Sequence, residues 1–309
     1  MISRRNIRVK VMQELYAHQA REGIQDKTNP AENIQKQLEQ CRQLFSYLLF
    51  FITEVARYAE ADAKLRASKN LLTEEDRNVN TKIAGNQLLW QILENESFKK
   101  EIKSRIIEFT DTKEQVKKIY HDLLSSDEYG RYIHYNGRDK KAEKEILLFI
   151  FTDLMLPNEN FTQHIEENFI NWDDDGEMMN QLMLNYLQKP GTYNLQHLIG
   201  EEKRKFAKEL LITTISKGEY VVELIKPKLK NWDFERIAVL DMILMQMGVC
   251  EFLFFETIPP KVTINEYIDI AKEYSTSQSG QFVNGILDSI HKDLVAQNKI
   301  HKIDFKQKA

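Results

Sequence analysis

A chain of 309 residues, 42% of them hydrophobic, is long enough to bury a sizeable core, which argues against wholesale disorder. Charged residues make up 29% and the formal net charge is -4, so any nucleic-acid site must be a local patch rather than a basic coat. Two cysteines, Cys41 and Cys250, exclude a disulfide framework and a zinc site made of cysteine alone, and read as reduced, buried thiols. The start Met1-Ile2-Ser3-Arg4-Arg5 has no signal-peptide stretch and no run of about 18 apolar residues marks a membrane span, so a cytoplasmic protein away from membranes is expected.

The first predicted element is a helix with Ser3 as its N-cap and Ile7, Val11 and Leu15 as its apolar stripe. Five basic residues, Arg4, Arg5, Arg8, Lys10 and Arg21, stand against the single acidic Glu14 in the first 21 residues. Arg5 and Arg8, three apart, share one flank. Arginine suits phosphate because its planar fork offers two donors and stays charged. Three such contacts to single-stranded RNA would give a log–log salt slope of about −2. The alternative is a solvated basic face. Membrane-surface binding is the weaker reading, since the apolar stripe carries no bulky anchor.

No proline occurs from Ala31 to Leu156, and Leu38, Cys41, Phe45, Leu48, Leu49, Ile52 and Val55 recur at spacings of three and four. That predicts a helix from Ile34 to about Ala67. Capping pairs follow at Thr73 with Asp76 and at Asp111 with Glu114. Turn-forming residues cluster at Tyr129–Arg138, Pro157–Asn160, Asn171–Gly176 and Lys189–Gly200, where breaks are expected. Strand signals are nearly absent, the flanks of Asn136-Gly137 do not alternate, and there is no internal repeat.

In the last third an apolar helix from about Asp233 to Phe255 ends before Pro259-Pro260. Thr263 with Glu266 reads as a capping box for the next helix, whose stripe is Ile264, Tyr267, Ile268 and Ala271. A loop at Ser275–Ser279 leads to a final helix striped by Val283, Ile286, Leu287, Ile290 and Leu294.

Catalytic and cofactor motifs are missing. Gly280 and Gly285 have P-loop separation, but Ile286-Leu287 stand where Lys and Ser/Thr are required. No histidine pair sits at the i, i+4 spacing of metal ligands, and Asp173-Asp174-Asp175 reads as a solvated turn. A non-enzyme without metal or cofactor is expected.

The segment Ser3-Arg4-Arg5-Asn6-Ile7-Arg8 through Leu15-Tyr16 resembles the first helix of the NusB transcription antitermination factors. Ile258-Pro259-Pro260-Lys261-Val262-Thr263-Ile264-Asn265-Glu266, then Ala271-Lys272 and Phe282-Val283-Asn284-Gly285-Ile286-Leu287-Asp288, are similar to that family's carboxy-terminal signature. Phe234-Glu235-Arg236-Ile237-Ala238-Val239-Leu240 resembles the helix before it. The resemblance implies an all-α helical bundle of NusB type, with residues 1–21 as its first helix, 201–309 as the rest, and 22–200 as an inserted helical block.

It further implies binding of boxA-type ribosomal RNA together with NusE, a ribosomal small-subunit protein, within an RNA polymerase antitermination complex. By position, Arg4, Arg5, Arg8 and Lys10 would contact RNA, bordered by Gln278, Gln281 and Phe282, with Tyr16 and Glu235 toward NusE or the RNA. Asn6 interrupts the arginine run and Val9 replaces an acidic residue. Phe282 reads equally as core. Two other readings stand beside this one: a helical protein–protein scaffold, and an RNA-methyltransferase accessory protein without catalytic activity of its own.

Overall fold

The computed structural model describes residues 2–21, 29–105, 112–190, 193–229 and 236–303. Among them there is no strand, and the fold class is all-α. In chain order the helices are α1 (Arg4–Ala20), α2 (Pro30–Ala67), α3 (Glu74–Arg77), α4 (Gln87–Glu94), α5 (Glu96–Arg105), α6 (Lys113–Leu124), α7 (Asp127–His134) and α8 (Lys140–Phe149). They continue with α9 (Glu159–Asn168), α10 (Trp172–Gln188), α11 (Glu201–Ser216), α12 (Gly218–Ile225), α13 (Val239–Phe254), α14 (Pro260–Tyr274) and α15 (Ser279–Ala296). The backbone separates into two compact units, one of residues 1–2 with 39–199 and the other of residues 3–38 with 200–309. The division falls inside α2, later in the chain than residue 22, where the inserted block was expected to begin.

The first unit is built on the later part of α2, which buries Phe45, Leu48, Leu49, Ile52 and Val55 at the predicted spacing, and Phe51 with them. Phe51 meets Phe161 edge-on at 4.6 Å and Phe45 meets Tyr186 at 5.5 Å, so α9 and α10 dock through aromatic pairs. The predicted Thr73 cap is formed: Thr73 N–H donates to Asp76 Oδ2 (3.2 Å) and Asp76 N–H to Thr73 Oγ (3.1 Å). The pair expected at Asp111 and Glu114 begins outside the described residues.

Two expected breaks are helical instead. Residues 129–134 belong to α7, because Ser126 Oγ accepts from Tyr129 N–H and starts a helix there; the turn comes afterwards, at Gly137 with φ 113°. Asp173, Asp174 and Asp175 form the first turn of α10, where the positive end of the helix dipole favours carboxylates. Asp175 is buried, and Cys41 Sγ lies 3.2 Å from its Oδ2. Cys250, in the second unit, is buried too, and burial pushes its thiol up to about 12.

In the second unit α13 is the central helix, buried almost all round, with α1, α11, α12, α14 and α15 packed about it. Gly248 permits a close approach of α14 and α15 to α13: a Cβ there would lie 2.9 Å from Leu287 Cδ2 and 3.4 Å from the Tyr267 ring. The described start of α13 is Val239, since Arg236–Ala238 are not α-helical and 230–235 lie outside the described residues. The helix after the two prolines starts earlier than Thr263, with Pro259 at the N-cap and Pro260 at the first helical position. Thr263 is therefore an interior residue, and its hydroxyl donates to Glu251 at 2.9 Å.

Candidate functional site

The amino-terminal helix starts as expected, with one refinement. Asn6 N–H donates to Ser3 Oγ (3.1 Å) while Ser3 N–H donates to Asn6 Oδ1 (3.2 Å), so the residue that interrupts the arginine run closes the capping box. The cap sets the phase of the helix. Ile7, Val11 and Leu15 then face the core, and the basic residues fall on different faces.

Arg8 does not belong to the surface. It is 2% exposed, and it forks onto Glu251, with Nε 2.7 Å from Oε1 and Nη2 3.1 Å from Oε2. Its Nη1 donates to Glu266 at 3.3 Å, and the guanidinium lies over the rings of Phe206 and Tyr267 at 5.5 and 5.8 Å. Burial works against the charge, but the hydrogen bonds and charge of Glu251 outweigh it and hold the arginine above its usual value. Glu251, fully buried, also accepts from Thr263 and from the Tyr267 hydroxyl (2.8 Å), so its oxygens take four hydrogen bonds. Burial lifts the Tyr267 phenol well above its ordinary value and keeps it a neutral donor. Lys10 is likewise 2% exposed. Both residues are corrected from RNA contacts to interior groups, because the helix phase that buries Ile7 and Val11 carries them inward.

Arg4 and Arg5 remain half-exposed, and each meets carboxylates. Arg4 pairs with Glu202 and lies 5.6 Å over Phe206; Arg5 reaches Asp269 at 3.4 Å and Glu273 at 3.3 Å. Arg21 pairs with the buried Glu14 at 3.1 Å, an acid that also accepts from Asn33 and Gln37. The basic excess of the first 21 residues is thus largely compensated once α1 is folded against its neighbours. Tyr16 stays on the surface at 49% exposure, and Glu235 lies outside the described residues.

The carboxy-terminal candidates do come together. Gln278, Gln281 and Phe282, with Gly285 and Ile286, line one shallow cavity of about 330 Å³ at the start of α15. Gln278 and Gln281 are exposed and Phe282 is half-buried. Ser279, which sequence reasoning did not single out, anchors this corner: its hydroxyl donates to the buried Asp241 (2.8 Å) and accepts from Thr276 N–H (3.1 Å). Asp241 and Ser279 are 38 residues apart in sequence, so no local pattern links them.

An exposed amide pair and a half-buried aromatic thus sit together at a pinned helix start on an all-α core around α13. Among the described residues no group of three His, Cys, Asp or Glu is placed to hold a metal ion, and no helix is long and apolar enough to cross a membrane. The sequence model of the NusB family matches residues 162–292. The chain is 44% identical over 99 residues to the transcription antitermination protein NusB of Salinibacter ruber, covering 32% of this chain and 62% of that protein. It is 42% identical over 94 residues to the NusB of Finegoldia magna, covering 30% of this chain and 69% of that protein. To the NusB of Methylacidiphilum infernorum it is 45% identical over 94 residues, covering 30% of this chain and 66% of that protein. No solved structure matches the chain significantly. The chain belongs to the NusB family. The matched span begins at residue 162, in α9 of the first unit, well before the 201 expected from the signature alone.

Proposed function

We propose that the chain is a non-catalytic, cytoplasmic antitermination factor that binds boxA-type single-stranded RNA together with NusE in an RNA polymerase complex. The observation that carries the reading is the 42% identity over 69% of a protein named for transcription antitermination. The cavity lined by Gln278, Gln281 and Phe282 supports it, because amides can read base edges and a half-open aromatic ring can stack an unpaired base. Arg4 and Arg5 act as phosphate ligands, each exchanging a carboxylate for a phosphate. Tyr16 and Glu235 are assigned to the partner-facing side.

Because the arginines are already paired, RNA binding by the protein alone should be modest, and assembly with NusE should strengthen it. Fluorescence anisotropy with a boxA-type RNA, with and without NusE, tests this. Salt-sensitive binding that tightens when both proteins are present is expected. No binding in either arm refutes the function.

A further inference from the structure

Past α15 the chain turns back onto the second unit. Asn298 takes the left-handed conformation (φ 53°) that asparagine tolerates, while the N–H groups of Asn298 and Lys299 donate to Val295 O (3.0 Å) and Leu294 O (2.9 Å) and end the helix. Residues 297–303 then run as a strap to the carboxy-terminal end of α13, where the last helix carbonyls have spare acceptor capacity. Lys302 Nζ donates to Glu251 O and to Phe255 O, each at 2.7 Å, and Ile303 N–H donates to Glu256 O at 3.1 Å. Lys302 thereby caps the helix whose Glu251 side chain holds Arg8.

The place of this amine suits its neutral form. Lys302 is half-buried and pairs with no carboxylate among the described residues. A neutral amine has two protons, one for each carbonyl, and keeps its lone pair for a reaction. Burial brings the group down to about 8, against the opposing pull of the Glu251 and Glu256 carboxylates. At about pH 7.5 roughly a quarter of Lys302 is then neutral, against about one part in a thousand for an ordinary lysine. Lysines desolvated in this way are the ones that act as nucleophiles. Lys82 also donates to two carbonyls, Tyr132 O and Tyr135 O, but its Nζ sits over both tyrosine rings, whose faces attract a cation.

We propose that Lys302 is an acylation site, modified by an activated acyl group from an acyl phosphate or an acyl thioester, and that its acylation releases the strap from α13. The amine lone pair attacks the acyl carbon. A carbon–nitrogen bond forms, the carbon–oxygen or carbon–sulfur bond breaks, and phosphate or thiol departs with the proton that the nitrogen gives up. The amide product has no charge and a single proton, so it serves at most one of the two carbonyls, and the added acyl group must be fitted into a half-buried place. The inference does not depend on whether the chain binds RNA.

The test incubates the full chain with limiting acetyl phosphate in one arm and an S-acetyl thioester in the other, between about pH 7 and about pH 9, and follows each lysine by peptide mass spectrometry. At about pH 7.5 Lys302 should be acetylated about 10-fold faster than Lys82 and than the exposed Lys141 and Lys205, the gain in neutral amine being offset in part by weaker basicity and half-burial. Its rate should level off above about pH 8, where the rates at the other lysines still climb. Such labelling in either arm supports the proposal and identifies the acyl source. In the acetylated protein, hydrogen exchange at Ile303 N–H should accelerate, and Lys302→Arg should abolish both the labelling and the acceleration. Lys302 labelled no faster than the other three lysines in both arms, or unchanged exchange at Ile303 after labelling, overturns the proposal.

Discussion

Glu251 accepts four hydrogen bonds in a place closed to water, and Arg8 supplies two of them with the compensating charge. Removing one partner of such a pair leaves a buried carboxylate uncompensated, which costs about 3–5 kcal/mol. Arg8→Ala should therefore lower unfolding free energy by that amount in urea denaturation, whereas Arg4→Ala and Arg5→Ala, which break exposed pairs, should each cost less than about 1 kcal/mol. A stable Arg8→Ala protein that had lost only RNA affinity would return Arg8 to the surface. The difference between these arginines was invisible in the sequence. All three stand within five residues of one another, and what separates Arg8 from the others is an acid 243 residues away. The local cap was visible: Ser3 was identified, and only Asn6 as its reciprocal partner was missed.

At the scale of elements, legibility followed how local the cause was. The long α2 could be read because its apolar stripe and its freedom from proline are properties of the segment itself. The start of α14 was misread because Thr263 and Glu266 have the residue types and spacing of a capping box, while Pro260 had already begun the helix. Thr263 is polar for Glu251 rather than for its own backbone. The acidic run at Asp173–Asp175 has the composition of a solvated turn, but three carboxylates before an apolar stripe also describe a helix start. Packing between elements was the least legible. Gly248 looks unfavourable inside a helix, and the reason for it is the Leu287 side chain on α15 and the Tyr267 ring on α14. Gly248→Ala should cost about 1–3 kcal/mol through overpacking, against the better helix propensity of alanine. A shift of the denaturation midpoint to lower urea checks it, and a stabilised variant would show that the contact yields freely.

For the whole molecule, a net charge of -4 proved a better guide than the basic count at one end. Folding matches the arginines of α1 with carboxylates. The family signature was legible because its pieces lie in one stretch of chain, from Ile258 to Asp288. The extent of the match was not, since its earlier part, from residue 162, carries no motif that periodicity alone could separate from any other amphipathic helix. Whether the corner of Gln278, Gln281 and Phe282 holds RNA is decided by the affinity of the full chain and of Phe282→Ala for a boxA-type single-stranded RNA. A loss of about 1–3 kcal/mol of binding, with helical content and unfolding midpoint unchanged, is the predicted result. Equal affinities would contradict it and make Phe282 a core residue.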